Sequence, residues 1–348
     1  MDMLHGGEIY ELNIEYDFSV NLNPLPCPQD VISAIRCAGD KISLYPDTNQ
    51  TEFRRAVAAA EGNGIMPSNI IGGNGASELL VSVLRYLDPR RVLIPVPSFY
   101  GYRHALNMLS SCMVEEYILR EDNDYILDEE FIGRITHETD AVIIANPNNP
   151  TGRCISVEIL DEIINKCKSA GTALIIDECF IRLSSGTSAI KYFRESGRFP
   201  NLFIINAYTK LFSIPGVRLG YAISNEKNIE GISKFLPEWN LSVFAENAGI
   251  ACANILEKST YEKDSAELIE DGRKRLSAAF EKKGIKVFPS ETNFILIKTE
   301  RKLYENLLEY GILIRDCENF RGLGKGFYRI AVKDKKSIDR LIQICSKL

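Results

Sequence analysis

Five short, nearly all-apolar runs pace the middle of the chain: Arg91–Pro95, Ala141–Ala145, Ala173–Asp177, Leu202–Asn206 and Leu219–Ile223. A run this short without polar alternation suits a strand buried on both faces. Between the runs lie amphipathic patterns. Ser156 to Ala170 puts Ile159, Leu160, Ile163, Ile164 and Cys167 on one helical face, and Glu78 to Leu87 has the same character. Strands that need cover on both faces, joined by helices with one apolar face each, build a mostly parallel sheet wrapped by helices, an α/β fold. Ligands bind such sheets beyond the carboxyl ends of the strands, so Pro95, Asn146 and Asp177 mark where chemistry is expected.

From about Lys227 the pattern turns to long helices, Glu246 to Glu257 and Tyr261 to Lys283, with charges paired four residues apart. Strand-like Ile285–Phe288, Asn293–Ile297, Ile312–Arg315 and Phe327–Val332 follow, with helical Tyr304–Tyr310 and Lys335–Leu348 among them. This reads as a smaller α+β unit. The expected organisation is an N-terminal segment 1–40 packing with the small domain, a large domain 41–240 and a small C-terminal domain 241–348.

With 348 residues and 45% apolar content, the chain can bury a large core. A net charge of −6 disfavours nucleic acid and anionic membrane as partners. Nine cysteines, an odd number without a C-x-x-C pair, read as reduced thiols, and no metal is expected. The start, Met1-Asp-Met-Leu-His5, has no signal-peptide pattern, and no apolar stretch reaches about 18 residues. A cytoplasmic enzyme is the expectation.

Lys210, within Asn206-Ala-Tyr-Thr-Lys-Leu-Phe-Ser-Ile-Pro-Gly-Val-Arg218, is the residue on which the chemistry turns. An amine attacks an aldehyde only when partly desolvated, and Thr209 and Arg218 are suited to hold a phosphate beside it. A solvent-exposed loop lysine is the plain alternative, and four other segments weigh against it. Gly72-Gly-Asn-Gly75-Ala76-Ser77 leads into a helix whose free N–H groups favour an anion by about 0.3–1 kcal/mol, although such turns also occur as mere structure. Phe99, in Pro97-Ser-Phe-Tyr-Gly-Tyr102, suits stacking on a flat heterocycle as well as filling a core. Asn146-Pro-Asn-Asn149-Pro-Thr-Gly152 is a rigid loop whose amides suit a phenolic oxygen. Asp177 ends an apolar strand, where a carboxylate either caps the next segment or meets a cation such as a protonated pyridine.

On these residues the chain resembles the class I/II aminotransferase group of the fold type I pyridoxal-phosphate enzymes, from Asn21 to the last helix. The resemblance implies an aspartate aminotransferase-like fold whose large domain binds pyridoxal 5′-phosphate. It implies Lys210 as the Schiff-base lysine, Asp177 as partner of the pyridine nitrogen, Asn149 as donor to the ring O3′ and Phe99 as the stacking ring. Gly75, Ala76, Ser77, Thr209 and Arg218 would hold the phosphate. Tyr45, in Leu44-Tyr-Pro-Asp47, matches a tyrosine that reaches the neighbouring subunit's site, which implies a homodimer. Arg329, in Phe327-Tyr-Arg-Ile-Ala, matches the arginine that clamps the substrate carboxylate through a bidentate fork.

Within that group, the short length and the Tyr45-Pro-Asp and Asp177-Glu-Cys-Phe180-Ile segments resemble histidinol-phosphate aminotransferases and the threonine-phosphate decarboxylases of cobalamin synthesis. Both act on phosphorylated substrates. His5-Gly-Gly, the run Asp17-Phe-Ser-Val-Asn-Leu-Asn23-Pro, Phe180 in place of a tyrosine and Arg315–Leu323 tilt the resemblance to the decarboxylase. It implies His5, Asn23 and Arg315 on the substrate, with His5 and Arg315 near its distal phosphate. The expected activity is decarboxylation of L-threonine O-3-phosphate; histidinol-phosphate transamination with 2-oxoglutarate is the alternative, and a non-catalytic binding module a third. Ala207 departs from the family pattern, which has Ser or Thr there, and the missing hydrogen bond is worth on the order of 1 kcal/mol.

Overall fold

The structure, a computed structural model, describes residues 6–7, 9–10, 12–195 and 200–347. Its centre is a seven-stranded sheet in the order Ile70–Gly73, Gly220–Ile223, Leu202–Asn206, Ala173–Asp177, Ala141–Ala145, Arg91–Val96, Met113–Ile118. Gly220–Ile223 runs against both of its neighbours, and the remaining pairs are parallel. The apolar runs lie in this sheet as expected. Their side chains divide between two cores: Val142, Ile144, Leu174, Ile176, Leu202 and Ile204 face one way, and Ala141, Ile143, Ile175, Phe203 and Ile205 the other. Burial on both faces is the physical reason these runs carry no polar alternation.

Helices cover both faces. Ala76–Leu87 and Tyr100–Leu106 bury Leu79, Leu80, Val83, Leu84, Tyr102 and Leu106 on one side. On the other, Val157–Ala170 buries Leu160, Ile163, Ile164 and Cys167, starting where Ser156 Oγ accepts from the Ile159 amide and stopping at Gly171 in left-handed backbone. Gln29–Cys37, Thr51–Glu61 and Val243–Lys258 share that second core through Val31, Phe53, Val57, Ala248 and Cys252.

A four-stranded sheet, ordered Arg315–Asp316, Phe327–Ala331, Phe294–Lys298, Lys286–Val287, builds the smaller layer with Tyr261–Glu281 and Lys335–Cys345. Tyr16–Asp17 pairs in parallel with Ile312–Leu313, and Phe18 joins the third core beside Leu276, Phe280 and Ile330. The amide of Ala331 donates to Phe18 O at 2.9 Å, so residues 17–21 run past the strand that carries Arg329. The Ile312–Arg315 run is interrupted: it pairs at Ile312–Leu313 in one sheet and at Arg315–Asp316 in another. Among the described residues no helix is long and apolar enough to cross a membrane.

Candidate active site

A cavity of about 260 Å³ opens at the carboxyl ends of the parallel strands, between the large sheet and the Arg329 strand. Gly75 ends the turn after Ile70–Gly73 with φ of 89°, and a Cβ there would collide with the Arg218 guanidinium. Glycine is therefore what lets Arg218 close over the start of helix Ala76–Leu87, where Ala76 and Ser77 line the cavity. Arg218 itself holds left-handed backbone at φ 57° and donates from Nη1 to Pro215 O at 3.2 Å. Thr209 and Lys210 sit in the short turn Tyr208–Leu211 that follows strand Leu202–Asn206, and both line the same space.

Lys210 is half-buried, and desolvation pulls its ammonium below the ordinary lysine range, with Cys179 and Asp177 opposing and the Arg329 and Arg218 charges pushing the same way as desolvation. A larger fraction of the amine is therefore neutral, which is the form that attacks carbonyl carbon. Its Nζ stands 5.7 Å from the centroid of Phe180, whose ring meets Phe294 edge-on. Asp177, at the end of its strand, accepts from Tyr102 Oη at 2.7 Å and from the Cys179 amide at 3.0 Å. Phe99 lies against Tyr102 with centroids 5.6 Å apart.

Arg329 is 6% exposed and donates from Nη1 to Asn149 Oδ1 at 2.6 Å and from Nη2 to Ser19 O at 2.6 Å. Its Nε has no partner among the described residues. Burial lowers its pKa to about 10, which still leaves it a cation at neutral pH. Arg315 is 5% exposed, donates from Nη2 to Asn319 Oδ1 at 2.8 Å and lies 5.2 Å over the Phe320 ring. Among the described residues, the charged ones lining the cavity are thus Lys210, three guanidiniums and the carboxylate of Asp177. Such a space selects anions, and its buried donors are worth more there than in water.

Ten of the residues assigned a place on cofactor or substrate line this cavity, Ala76, Ser77, Phe99, Asn149, Asp177, Thr209, Lys210, Arg218, Arg315 and Arg329, and so do the two departures from the family pattern, Phe180 and Ala207. Gly75 shapes it from behind. Asn23 does not line it. Its Nδ2 is committed to Leu211 O and Ser265 Oγ, both at 2.7 Å, and its backbone N–H donates to Lys210 O at 3.0 Å. Asn23 is therefore a brace beneath the lysine turn rather than a group facing a substrate. Tyr45 is 81% exposed and packs on Trp239, outside this chain's own cavity. His5 lies outside the described residues. Sequence reasoning missed Tyr102, Cys179, Phe320 and the stretch Ser19–Asn21 as lining residues. Tyr102 had a usable signal, since three residues beyond Phe99 is one helical turn and the same face.

The aminotransferase class I and II family model matches residues 14–344. The chain is 32% identical to the threonine-phosphate decarboxylase of Salmonella typhimurium, over 97% of this chain and 94% of that protein. It is 30% identical to the histidinol-phosphate aminotransferase of a Thermoanaerobacter species, over 96% and 93% of the two. The crystal structure of the histidinol-phosphate aminotransferase from Clostridium acetobutylicum superposes with a TM-score of 0.85 at 32% identity, covering 95% of this chain and 98% of that one.

Proposed function

This chain belongs to the class I and II aminotransferase family, and from that premise we propose that it is a pyridoxal-phosphate enzyme that decarboxylates L-threonine O-3-phosphate. The cavity's chemistry suits the cofactor. A half-buried amine of lowered pKa, a carboxylate, a ring on one wall and a helix start flanked by a guanidinium are the groups that an aldehyde, a pyridine nitrogen, a flat ring and a phosphate require. In this reading Lys210 takes the aldehyde, Asp177 faces the ring nitrogen, Phe99 lies on the ring, and Asn149 offers its amide N–H to the ring oxygen. Phe180 has no hydroxyl to share that last task. Ala76, Ser77, Thr209 and Arg218 hold the phosphate, with Gly75 giving Arg218 its approach. When bound, pyridoxal phosphate supplies an electron sink for the bond broken at Cα.

The observation that carries the substrate assignment is the pair of buried guanidiniums, Arg329 and Arg315, in one cavity beyond Lys210. L-Threonine O-3-phosphate bears a carboxylate and a phosphate, one for each arginine. Held at both ends, the substrate presents its Cα in one orientation. Arg329 takes the carboxylate through its unpartnered Nε side, Arg315 takes the phosphate, and Lys210 Nζ holds the proton that replaces CO₂ at Cα. The product is an aminopropanol phosphate. The relative from Salmonella typhimurium carries the name of this activity. Transamination of histidinol phosphate is the second reading, supported by the relatives that bear that name. Histidinol phosphate has no carboxylate, so in that reading Arg329 serves the 2-oxoglutarate acceptor.

Exposed Tyr45 and Trp239, their ring centroids 4.7 Å apart and tilted by 36°, fit a homodimer in which Tyr45 completes the phosphate site of the second copy. The experiment for the two-arginine reading compares L-threonine O-3-phosphate with L-threonine. Loss of the phosphate lowers kcat/KM by at least about 100-fold, the worth of one or two charge-assisted hydrogen bonds. Equal kcat/KM for the two refutes it.

A further inference from the structure

Tyr102 has no role in the assignments above, yet it touches two of the residues that do. It is 2% exposed and lines the cavity. Its hydroxyl donates to Asp177 Oδ2 at 2.7 Å, and its ring meets Phe99 edge-on at 82° with centroids 5.6 Å apart. Asp177 Oδ1 takes the Cys179 amide at 3.0 Å. Both carboxylate oxygens thus have a protein donor, and the carboxylate keeps acceptor capacity for a ligand. Burial first, and the Asp177 charge after it, push the phenol well above its ordinary pKa, so the hydroxyl stays a donor at neutral pH.

The backbone makes this unit rigid. Phe99 is the residue before helix Tyr100–Leu106, and Tyr102 donates its own amide to Phe99 O at 3.1 Å. The two rings therefore move together. Asp177 is fixed from the other side by its strand and by the turn that carries Cys179. Two donors that converge on one carboxylate leave it little rotational freedom, which is how neighbouring groups pre-orient a functional side chain.

From this geometry we propose that Tyr102 is a positioning residue. It locks the Asp177 carboxylate in one orientation and sets Phe99 in register with it, so that edge and face of a flat cationic heterocycle are met by a single unit. The inference rests on the cofactor assignment above and deepens it.

The test uses Tyr102→Phe, which keeps the ring and removes the hydroxyl, and Tyr102→Leu, which removes both contacts. Both are made in the full chain reconstituted with pyridoxal phosphate. In Tyr102→Phe the dissociation constant of the cofactor rises about tenfold, as loss of one charge-assisted hydrogen bond requires, and the visible band of the bound cofactor shifts. kcat falls while KM for substrate stays near its wild-type value. Tyr102→Leu weakens cofactor further. Added to Asp177→Asn, Tyr102→Phe has no additional effect on cofactor affinity, because its target is already altered. Wild-type affinity and band position in Tyr102→Phe overturn the inference, and so does an additive loss in the Asp177→Asn background. Thermal melts followed by circular dichroism separate these outcomes from loss of fold. If the wild-type chain itself takes up no cofactor, the cofactor reading fails and this inference fails with it.

Discussion

Arg329 donates from Nη1 to Asn149 Oδ1 at 2.6 Å, and this bond joins the smaller sheet to the loop after strand Ala141–Ala145 at the mouth of the cavity. It commits the amide oxygen of Asn149 and leaves its N–H groups for a ligand. It also fixes one arm of the guanidinium, while Ser19 O fixes the other. The substrate-facing edge of Arg329 is therefore preset, and so is the donor on Asn149. One contact sets the distance between two parts of the proposed site.

Arg329→Lys keeps the charge and loses the planar fork. We expect kcat/KM for L-threonine O-3-phosphate to fall about 10- to 100-fold, mostly through KM, since a point charge replaces a two-point grip. Steady-state kinetics measure it. A lysine enzyme with wild-type KM shows that the carboxylate is held elsewhere.

Ala207 lines the cavity, 4% exposed, three residues before Lys210. Ala207→Ser adds a hydroxyl where the proposed phosphate lies. The expected gain is on the order of 1 kcal/mol, a dissociation constant for pyridoxal phosphate lowered about fivefold. Equilibrium titration of the apoprotein reads it directly, and an unchanged constant places the phosphate away from this residue.

Tyr45→Phe alters a side chain that this chain's own cavity lacks. If the second copy uses it, cofactor binding weakens by roughly 1 kcal/mol although no residue of the cavity has changed. Sedimentation of the wild-type chain is expected to show a dimer. A monomer, or a Tyr45→Phe protein with unchanged cofactor affinity, contradicts the shared site.

Glu178 is fully buried next to Asp177 and accepts from Ser188 Oγ at 2.5 Å and the Ala189 amide at 2.7 Å. Burial raises its pKa from 4.5 to about 7, with Glu61 adding to the rise and the two hydrogen bonds and Arg182 opposing it. Between those pH values the folded protein holds a proton that the unfolded chain has released. Stability from this group is therefore complete below about pH 4.5 and is lost as pH rises through 7, by at most about 1.4 kcal/mol per pH unit. Glu178→Gln removes that component of the slope in denaturant melts taken from pH 5 to 8. An identical slope in the variant assigns it to other groups.

Much of this architecture was legible because burial on both faces leaves a distinct trace. Ala141–Ala145, Ala173–Asp177 and Leu202–Asn206 match the strands residue for residue. Ile70–Gly73 escaped notice as a strand because half of it is glycine, with no side chain to show a period. Met113–Ile118 lies at the sheet edge and carries Glu115 and Glu116, so it lacks the apolar signature. The reversed direction of Gly220–Ile223 is a matter of which neighbours it pairs with, and nothing in four local residues encodes that. The site divides in the same manner. Lys210, Asp177 and Arg218 were visible because charged residues beside apolar strands are costly and need a reason. Tyr102, Phe320 and Asn21 were not, since an aromatic or an amide in the chain carries no such cost until its neighbours are known. Asn23 misled for a related reason, because a buried amide that holds backbone and one that faces a ligand look alike in sequence.

The most direct measurement follows CO₂ and amine in one tube when the purified protein, reconstituted with pyridoxal phosphate, meets L-threonine O-3-phosphate. One CO₂ and one aminopropanol phosphate are expected for each substrate consumed, with both abolished in Lys210→Ala. Amine transfer to the cofactor without CO₂, or turnover that survives in Lys210→Ala, contradicts it.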